Sequence, residues 1–101
     1  MTRPQIIERT PGSLLYPGIG HPALQLTAAE TLLMKLLLRA DGRPLRTREI
    51  YIAIYWSRPE TKEEAVDHLI YQIRRKVRRA GLSPTWLRTV RGFGYVIPLD
   101  A

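Results

Sequence analysis

The sequence predicts one small α+β domain over residues 1–101, with a short N-terminal antiparallel sheet, three helices and a C-terminal β-hairpin. Three observations lead to this prediction. Two segments open with a helix-capping pattern that precedes apolar residues at helical spacing. Prolines and glycines divide the first 22 residues into pieces long enough only for short strands. Near the C-terminus, a glycine-rich turn between β-forming residues is typical of a hairpin.

The N-terminal sheet is predicted from residues 1–26. Its candidate strands are Gln5 to Glu8, Ser13 to Tyr16 and Leu24 to Leu26. Prolines and glycines separate them, and Pro17-Gly18-Ile19-Gly20 has the composition of a turn. Because proline cannot donate to a β-ladder, we expect each strand to be only a few residues long.

The three helices are predicted within residues 27–81. In the first, Thr27 and Glu30 are spaced as a capping box, and Gly42 suits the left-handed conformation that ends a helix. Met34 and Leu38 lie off the main apolar stripe, so we expect this helix to be buried on more than one side. The stripe consists of Leu32, Leu33, Leu36 and Leu37.

The second helix is predicted after Thr47. This residue is a candidate cap, and Glu49 in the first turn suits the helix dipole. The run from Ile50 to Trp56 is rich in β-branched and aromatic residues, which favour a strand instead. Since the spacing of Ile50 and Ile54 is helical, we interpret this segment as a short helix.

The third helix is predicted from Thr61 to Ala80, with Thr61 and Glu64 as a second capping box and Gly81 as its end. At about 100° per residue, its apolar residues lie within about 60° of one another and form a buried stripe. The stripe consists of Val66, Ile70, Ile73 and Val77. The opposite side carries His68, Gln72, Arg75 and Arg79, with Tyr71, Arg74 and Arg78 on one flank and Leu69 and Lys76 on the other.

The C-terminal hairpin is predicted within residues 85–98. Trp86 to Val90 form its first strand and Tyr95 to Ile97 its second, and Pro98 ends the ladder. Arg91-Gly92-Phe93-Gly94 forms the turn, in which both glycines meet requirements of the backbone. We expect Trp86 to lie in the core beneath the hairpin.

The positive charge of the chain is concentrated in its last third. The formal net charge is +7, yet residues 1–67 hold nine cations and eight carboxylates. Residues 68–101 hold seven cations and a single carboxylate, Asp100. The helix dipole favours cations in a last turn, but it explains only two of these seven. Such a basic surface suits a polyanion, and nucleic acid is the commonest one.

Several classes of protein are excluded by composition. The chain has no cysteine, so it forms no disulfide scaffold, thiol nucleophile or zinc finger. No nucleophile–base pair or metal-ligand cluster is visible, so we expect no enzyme, no cofactor, no bound metal and no small-molecule substrate. We expect Glu64 and His68 to form an exposed helical ion pair. The longest apolar run has seven residues, far below a bilayer span, so we expect a cytoplasmic protein without a membrane partner.

Three helices followed by a hairpin with a basic tip form the outline of a winged helix-turn-helix. An α-helix fits the major groove of duplex DNA, where the edges of the base pairs can be distinguished. An arginine at a hairpin tip can reach the adjacent minor groove, where the potential is most negative when the groove is narrow. The helix from Thr61 to Ala80 and the turn residue Arg91 match these two requirements.

The sequence also resembles the DNA-binding (effector) domain of OmpR/PhoB-type response regulators, over about residues 13–98. The resemblance rests on Leu26-Thr27-Ala28-Ala29-Glu30 in the first helix, and on Val66-Asp67, Ile70, Ile73-Arg74 and Lys76-Val77 in the third. At the wing it rests on Thr89-Val90-Arg91-Gly92-Phe93-Gly94-Tyr95. It implies the same fold, an N-terminal antiparallel sheet, three helices and a C-terminal β-hairpin wing.

The resemblance implies roles for individual residues. The third helix would enter the major groove and present His68, Tyr71, Gln72 and Arg75 to base edges. Arg74 and Arg78, beside Arg79, would bind phosphates. Thr89 and Tyr95 would hold the DNA backbone. Arg91 would enter the minor groove. The loop containing Trp56, Ser57, Arg58 and Glu60 would be a contact for RNA polymerase. A second copy would bind head-to-tail on an adjacent half-site.

Two departures from the family pattern change these expectations. Leu69 stands where many members carry a polar residue, so one contact would be lost or become an apolar contact with a thymine methyl. No receiver domain precedes the matching segment, so the phosphorylated aspartate that usually switches such proteins is missing. We therefore expect either a free-standing form or a piece of a longer protein.

The sequence thus predicts a sequence-specific double-stranded DNA-binding transcription regulator, located in the bacterial cytoplasm and associated with the nucleoid when bound to DNA. One alternative is a winged-helix interaction module that binds RNA polymerase or another regulator and has little DNA affinity. Another is an RNA-binding or nonspecific architectural protein, against which random duplex would compete as well as a selected site.

Overall fold

The computed structural model describes residues 5–7, 13–15 and 22–99. Its elements follow the predicted α+β order of a sheet, three helices and a wing. In chain order they are β1 (Gln5–Ile7), β2 (Ser13–Leu15), β3 (Pro22–Gln25), α1 (Ala28–Arg39), β4 (Leu45–Arg46), α2 (Thr47–Tyr55), α3 (Glu64–Arg79), β5 (Arg88–Val90) and β6 (Gly94–Val96). The turn predicted at residues 17–20 lies outside the described part of the chain. No helix among the described residues is both long and apolar enough to cross a bilayer.

Two antiparallel sheets flank the helices. The N-terminal sheet has the order β1-β2-β3, with Ile6 opposite Leu14 and Leu14 opposite Leu24. The second sheet has the order β4-β6-β5, so the two wing strands are joined by a strand from the α1–α2 connection. The sequence does not predict β4, because two residues are too few to show a β-periodicity.

α1 begins with the predicted capping box. Thr27 Oγ1 accepts a hydrogen bond from the backbone N–H of Glu30 at 3.2 Å, and Glu30 Oε1 accepts one from the N–H of Thr27 at 2.9 Å. Gly42 has the predicted positive φ, +83°, but the residue directly after the C-cap Ala40 is Asp41, which is also left-handed at φ +53°. The predicted stripe was partly wrong. The side of α1 that faces the core is not centred on that stripe, and Leu32 is 48% exposed. The buried apolar residues of α1 are Leu33, Met34 and Leu37, and the partly buried Leu36 and Leu38 also pack against the core.

α2 is a helix, as interpreted, but the prediction of Thr47 as its cap was wrong. Thr47 is the first helical residue, and its backbone N–H donates to Phe93 O in the wing at 3.3 Å. The preceding residue, Arg46, pairs with Gly94 in the second sheet and donates its N–H to Glu49 Oε1 at 2.9 Å. Arg46 is therefore both the last residue of β4 and the N-cap of α2, so the chain passes directly from a strand into a helix.

The predicted start of α3 at Thr61 was also wrong, because the helix begins at Glu64 and has no side-chain cap. The carbonyl of Thr61 accepts a hydrogen bond from the Tyr51 hydroxyl at 2.6 Å, and its N–H donates to Arg58 O at 3.0 Å. Thr61 is therefore part of a turn that is attached to α2. The predicted end at Gly81 is confirmed: Gly81 has φ +80°, and Leu82 N–H donates to Val77 O at 3.1 Å, as in a Schellman motif.

The core lies between the three helices and the second sheet. All four residues of the predicted α3 stripe are buried, and Trp86 beneath the wing is only 1% exposed. Leu69 is also buried, at 8% exposure, so of the two expected alternatives its burial fits the loss of a contact and not an apolar contact with a thymine methyl. The apolar arc of α3 is therefore wider than the stripe predicted from spacing, and it extends to the flank on which Lys76 pairs with Glu30 of α1.

Candidate nucleic-acid interface

The candidate interface consists of the solvent-facing side of α3 and the wing. Taking about 100° per residue, His68, Gln72, Arg75 and Arg79 lie on one arc of α3, which we call the outer face. Between the outer face and the core lies a flank that we call the wing side, because the wing hairpin contacts it. It carries Asp67, Tyr71, Arg74 and Arg78.

Two links attach the wing to this side of α3. The Tyr95 hydroxyl donates to Asp67 Oδ1 at 2.5 Å. Arg74 Nη2 donates to the carbonyl of Leu87 at 3.0 Å and to Thr89 Oγ1 at 2.9 Å. We call this set of contacts the wing clamp. Since Asp67 and Arg74 are two helical turns apart, the wing is held at two points along α3, and its orientation relative to the helix is fixed.

Three residues that were predicted to contact DNA, Arg74, Thr89 and Tyr95, form contacts within the wing clamp. Tyr95 is buried, at 8% exposure, and Arg74 is half-buried, with its guanidinium 6.0 Å from the Tyr95 ring centre. Burial lowers the pKa of Arg74 below its ordinary value. Thr89 is exposed, but its hydroxyl already accepts from Arg74. No role was predicted for Asp67, although its seven-residue separation from Arg74 places both side chains on one side of a helix.

The titration of Tyr95 provides a test of the wing clamp. Burial, followed by the hydrogen bond to Asp67, raises the pKa of Tyr95 to about 12, whereas tyrosine in an unfolded chain ionises near pH ~10. As the pH rises, the unfolded chain therefore loses this proton before the folded protein does. The protonated Tyr95 hydroxyl contributes fully to the free energy of unfolding below pH ~10, and this contribution is lost as the pH rises towards about 12. We expect Tyr95→Phe to lose less stability than the wild type between pH 8 and pH ~11 in urea denaturation. The same loss in both proteins would contradict this role of Tyr95.

Arg91 lies at the tip of the wing and is exposed. Phe93 N–H donates to Val90 O at 2.9 Å, which closes a tight turn around Arg91 and Gly92. Gly92 has φ +73°, which favours glycine at the third position of such a turn. A Cβ on Gly94, by contrast, would lie 1.9 Å from the carbonyl oxygen of Leu45. The backbone therefore favours glycine at both positions, as predicted. At Gly92 the reason is the positive φ, and at Gly94 it is the close approach of Leu45 in β4.

The cations of the outer face and the wing tip have no carboxylate partner among residues 25–99. The ion pairs recorded there are Arg43–Glu49 at 3.9 Å, Arg48–Glu63 at 3.6 Å and Lys76–Glu30 at 2.6 Å. Lys76 therefore pairs with a carboxylate on α1, on the flank of α3 away from the wing. On α3 and at the wing tip, the exposed arginines without such a partner are Arg75, Arg78, Arg79 and Arg91.

The sequence predicts an ion pair between Glu64 and His68 and a contact for RNA polymerase in the α2–α3 loop. The ion pair expected between Glu64 and His68 is not recorded among the described residues, where Gln72 Nε2 lies 3.3 Å from His68 Nε2 instead. In the α2–α3 loop, Trp56 is 79% exposed, and Ser57, Arg58 and Glu60 are exposed as well. Ser57 and Arg58 of this loop line a groove whose apolar lining includes Leu32 and Ile54.

Comparisons with known proteins agree with this architecture. The PetR protein of Rhodobacter capsulatus is 33% identical over 86 residues, covering 80% of this chain and 36% of PetR. The regulatory protein VirG of Rhizobium rhizogenes is 31% identical over 77 residues, covering 76% of this chain and 32% of VirG. The chain thus spans about a third of the length of these curated relatives.

Solved structures of DNA-binding domains share the fold. The DNA-binding domain of the response regulator AdeR, in complex with an intercistronic region, has a TM-score of 0.75 at 21% identity and covers 97% of this chain and 95% of its own. That of Bacillus subtilis CssR has a TM-score of 0.71 at 24% identity and covers 94% and 99%. The family model described as "Transcriptional regulatory protein, C terminal" matches residues 20–97. The chain belongs to this family, that of the OmpR/PhoB-type effector domains.

Proposed function

We propose that the protein is a transcription regulator that binds double-stranded DNA sequence-specifically, with α3 in the major groove and Arg91 in the minor groove. The observation that carries this proposal is the outer face of α3, whose cations have no carboxylate partner among the described residues and which is held beside the wing by the wing clamp. An α-helix with its side chains is about 10–12 Å wide, which matches a major groove of about 12 Å.

We assign the predicted contacts to three roles, according to where each residue lies. His68, Tyr71, Gln72 and Arg75 are placed to face base edges, because they lie on or next to the outer face. Arg78, Arg79 and Thr89 lie farther along α3 or on the wing, so we assign them to phosphates. Arg74 and Tyr95 act by positioning the wing, because their polar groups are already engaged with Thr89, Leu87 and Asp67. Leu69 is left out because it belongs to the core.

Selection from random duplexes, followed by binding measurements across a range of salt concentrations, tests this function. We expect enrichment of a defined site. If about five phosphates are neutralised per copy, the slope of log K against log salt should be about −4 to −5 per copy. Affinity that does not change between 50 and 200 mM salt would contradict the proposal. Equal competition by random duplex would favour nonspecific binding instead.

Arg91→Ala is the direct test of the wing. We expect it to weaken binding to the selected site by about 1–3 kcal/mol, because the minor-groove contact is lost. The matched control is Arg39→Ala, which removes the same charge from an exposed position at the end of α1. An equal loss in both variants would mean that Arg91 contributes only through the total charge.

We further propose that the α2–α3 loop contacts RNA polymerase and that two copies bind adjacent half-sites. The loop contact is supported by Trp56, because a tryptophan that is 79% exposed is typical of a binding surface. Trp56→Ala should abolish activation from a target promoter and keep DNA affinity; loss of DNA affinity instead would remove the loop from this role. A one-to-one complex on a selected site with two repeats would exclude the paired arrangement.

We also propose that this is a binding protein without catalytic activity that acts in the bacterial cytoplasm, at the nucleoid when bound to DNA. The family is one of transcriptional regulatory domains, which is not a class of enzymes. A regulator of this kind must reach the chromosome. A fluorescent fusion that failed to overlap with the nucleoid would contradict the location.

A further inference from the structure

His68, Tyr71 and Gln72 form a connected cluster of side chains on α3. Gln72 Nε2 lies 3.3 Å from His68 Nε2, one helical turn earlier. The rings of His68 and Tyr71 are stacked, with their centres 6.5 Å apart and their planes 26° from parallel. Tyr71 is 55% exposed and His68 is also exposed, so the cluster faces outward. The Gln72 amide therefore has a partner on its own helix before any base is bound.

The contact between two nitrogens determines where the protons lie. A carboxamide nitrogen carries two N–H donors and accepts no hydrogen bond, so His68 Nε2 must be the acceptor. This hydrogen bond therefore requires the tautomer of His68 that carries its proton on Nδ1. Gln72 uses one N–H for His68 and keeps its second N–H and its carbonyl oxygen for another partner.

We propose that His68 orients Gln72 to read an adenine in the major groove. Adenine displays an acceptor, N7, beside a donor, the N6 amino group, whereas guanine displays two acceptors, N7 and O6. One N–H beside one carbonyl oxygen complements adenine. Guanine would require two N–H donors, and one of these is occupied by His68. This inference deepens the proposed function, because it rests on α3 lying in the major groove.

Two substitutions at position 68 separate this mechanism from a simple effect of charge. Lysine is only a donor, so His68→Lys forces the Gln72 carbonyl oxygen to turn towards position 68 and leaves both N–H groups for the base. Ionised glutamate is only an acceptor, so His68→Glu keeps the original orientation of Gln72. The lysine variant should therefore prefer guanine and the glutamate variant adenine, whatever the change in total affinity.

The experiment uses the full chain and duplexes derived from the selected site, with each A·T pair replaced in turn by G·C. For the wild type we expect one position where adenine is preferred by about tenfold. Gln72→Ala should reduce the preference at that position to less than about twofold and keep the preferences elsewhere. His68→Lys should reverse it to guanine, and His68→Glu should retain adenine. In the free protein, ¹⁵N NMR should show His68 protonated on Nδ1 at pH 8.

The proposal is overturned if the adenine preference survives Gln72→Ala at every position, or if His68→Lys and His68→Glu prefer the same base. It is also overturned if His68 carries its proton on Nε2. These failures differ from a failure of the proposed function, in which the wild type would bind no selected duplex more tightly than random DNA.

Discussion

Gly94→Ala is expected to destabilise the protein by about 3 kcal/mol or more, at the upper end of the costs of overpacking. The added Cβ would lie 1.9 Å from the carbonyl oxygen of Leu45 and 2.9 Å from the backbone nitrogen of Thr47. Both neighbours are backbone atoms, so no side chain can move aside. The β4–β6 pairing would have to separate, and with it the contact between the wing and the start of α2. Urea denaturation followed by circular dichroism measures the change.

Gly92→Ala is the matched control in the same hairpin. A Cβ there would meet no atom within 4 Å, and only the positive φ of +73° opposes it. We expect a cost of about 1–2 kcal/mol, which is that of placing an L-residue in the left-handed region. Equal costs for the two variants would show that β4 and β6 do not approach each other as closely as the structure describes.

Lys76→Ala is expected to destabilise the protein by about 2–3 kcal/mol, because it leaves a buried carboxylate without its cation. Glu30 is 3% exposed, and its Oε1 atom lies 2.6 Å from Lys76 Nζ. The effect should be below that of a fully buried pair, because the Lys76 side chain is 31% exposed. The pair joins α1 to α3, so thermal unfolding of the whole domain is the appropriate measurement.

The control for this pair is the same change in a Glu30→Gln background. A glutamine can still accept the hydrogen bond from the Thr27 N–H that completes the capping box, but it carries no charge. We expect Lys76→Ala to cost less than about 1 kcal/mol in that background. If the cost is the same in both backgrounds, Lys76 stabilises the protein through its aliphatic chain alone.

Local patterns predicted those elements whose ends depend on neighbouring residues in the chain. Thr27 and Glu30 formed their capping box, and Gly42 and Gly81 adopted the left-handed conformation, because each requires only a few adjacent residues. The caps predicted at Thr47 and Thr61 failed, because distant groups determine the backbone there. Thr47 N–H contacts the wing, and the Thr61 carbonyl contacts Tyr51.

In the candidate site, too, spacing along the chain predicted some features, and contacts between distant residues decided others. The spacing on α3 correctly separated its core stripe from its cationic outer face, since a helix has a regular period. Spacing did not reveal which cations are engaged elsewhere. Lys76 pairs with Glu30, which is 46 residues earlier, and Arg74 contacts Thr89, which is 15 residues later. Such partners are brought together only when the chain has folded.

The sequence by itself determined the order of the elements, the place of the positive charge and the two basic segments that could meet DNA. These properties depend on composition and on periodicities within single elements. Only the tertiary structure decided that β4 joins the wing, that Leu69 belongs to the core and that Asp67 and Arg74 hold the wing against α3. The physical reason is that hydrogen bonds and ion pairs act over a few ångströms, and the distances between residues far apart in the chain are set by packing.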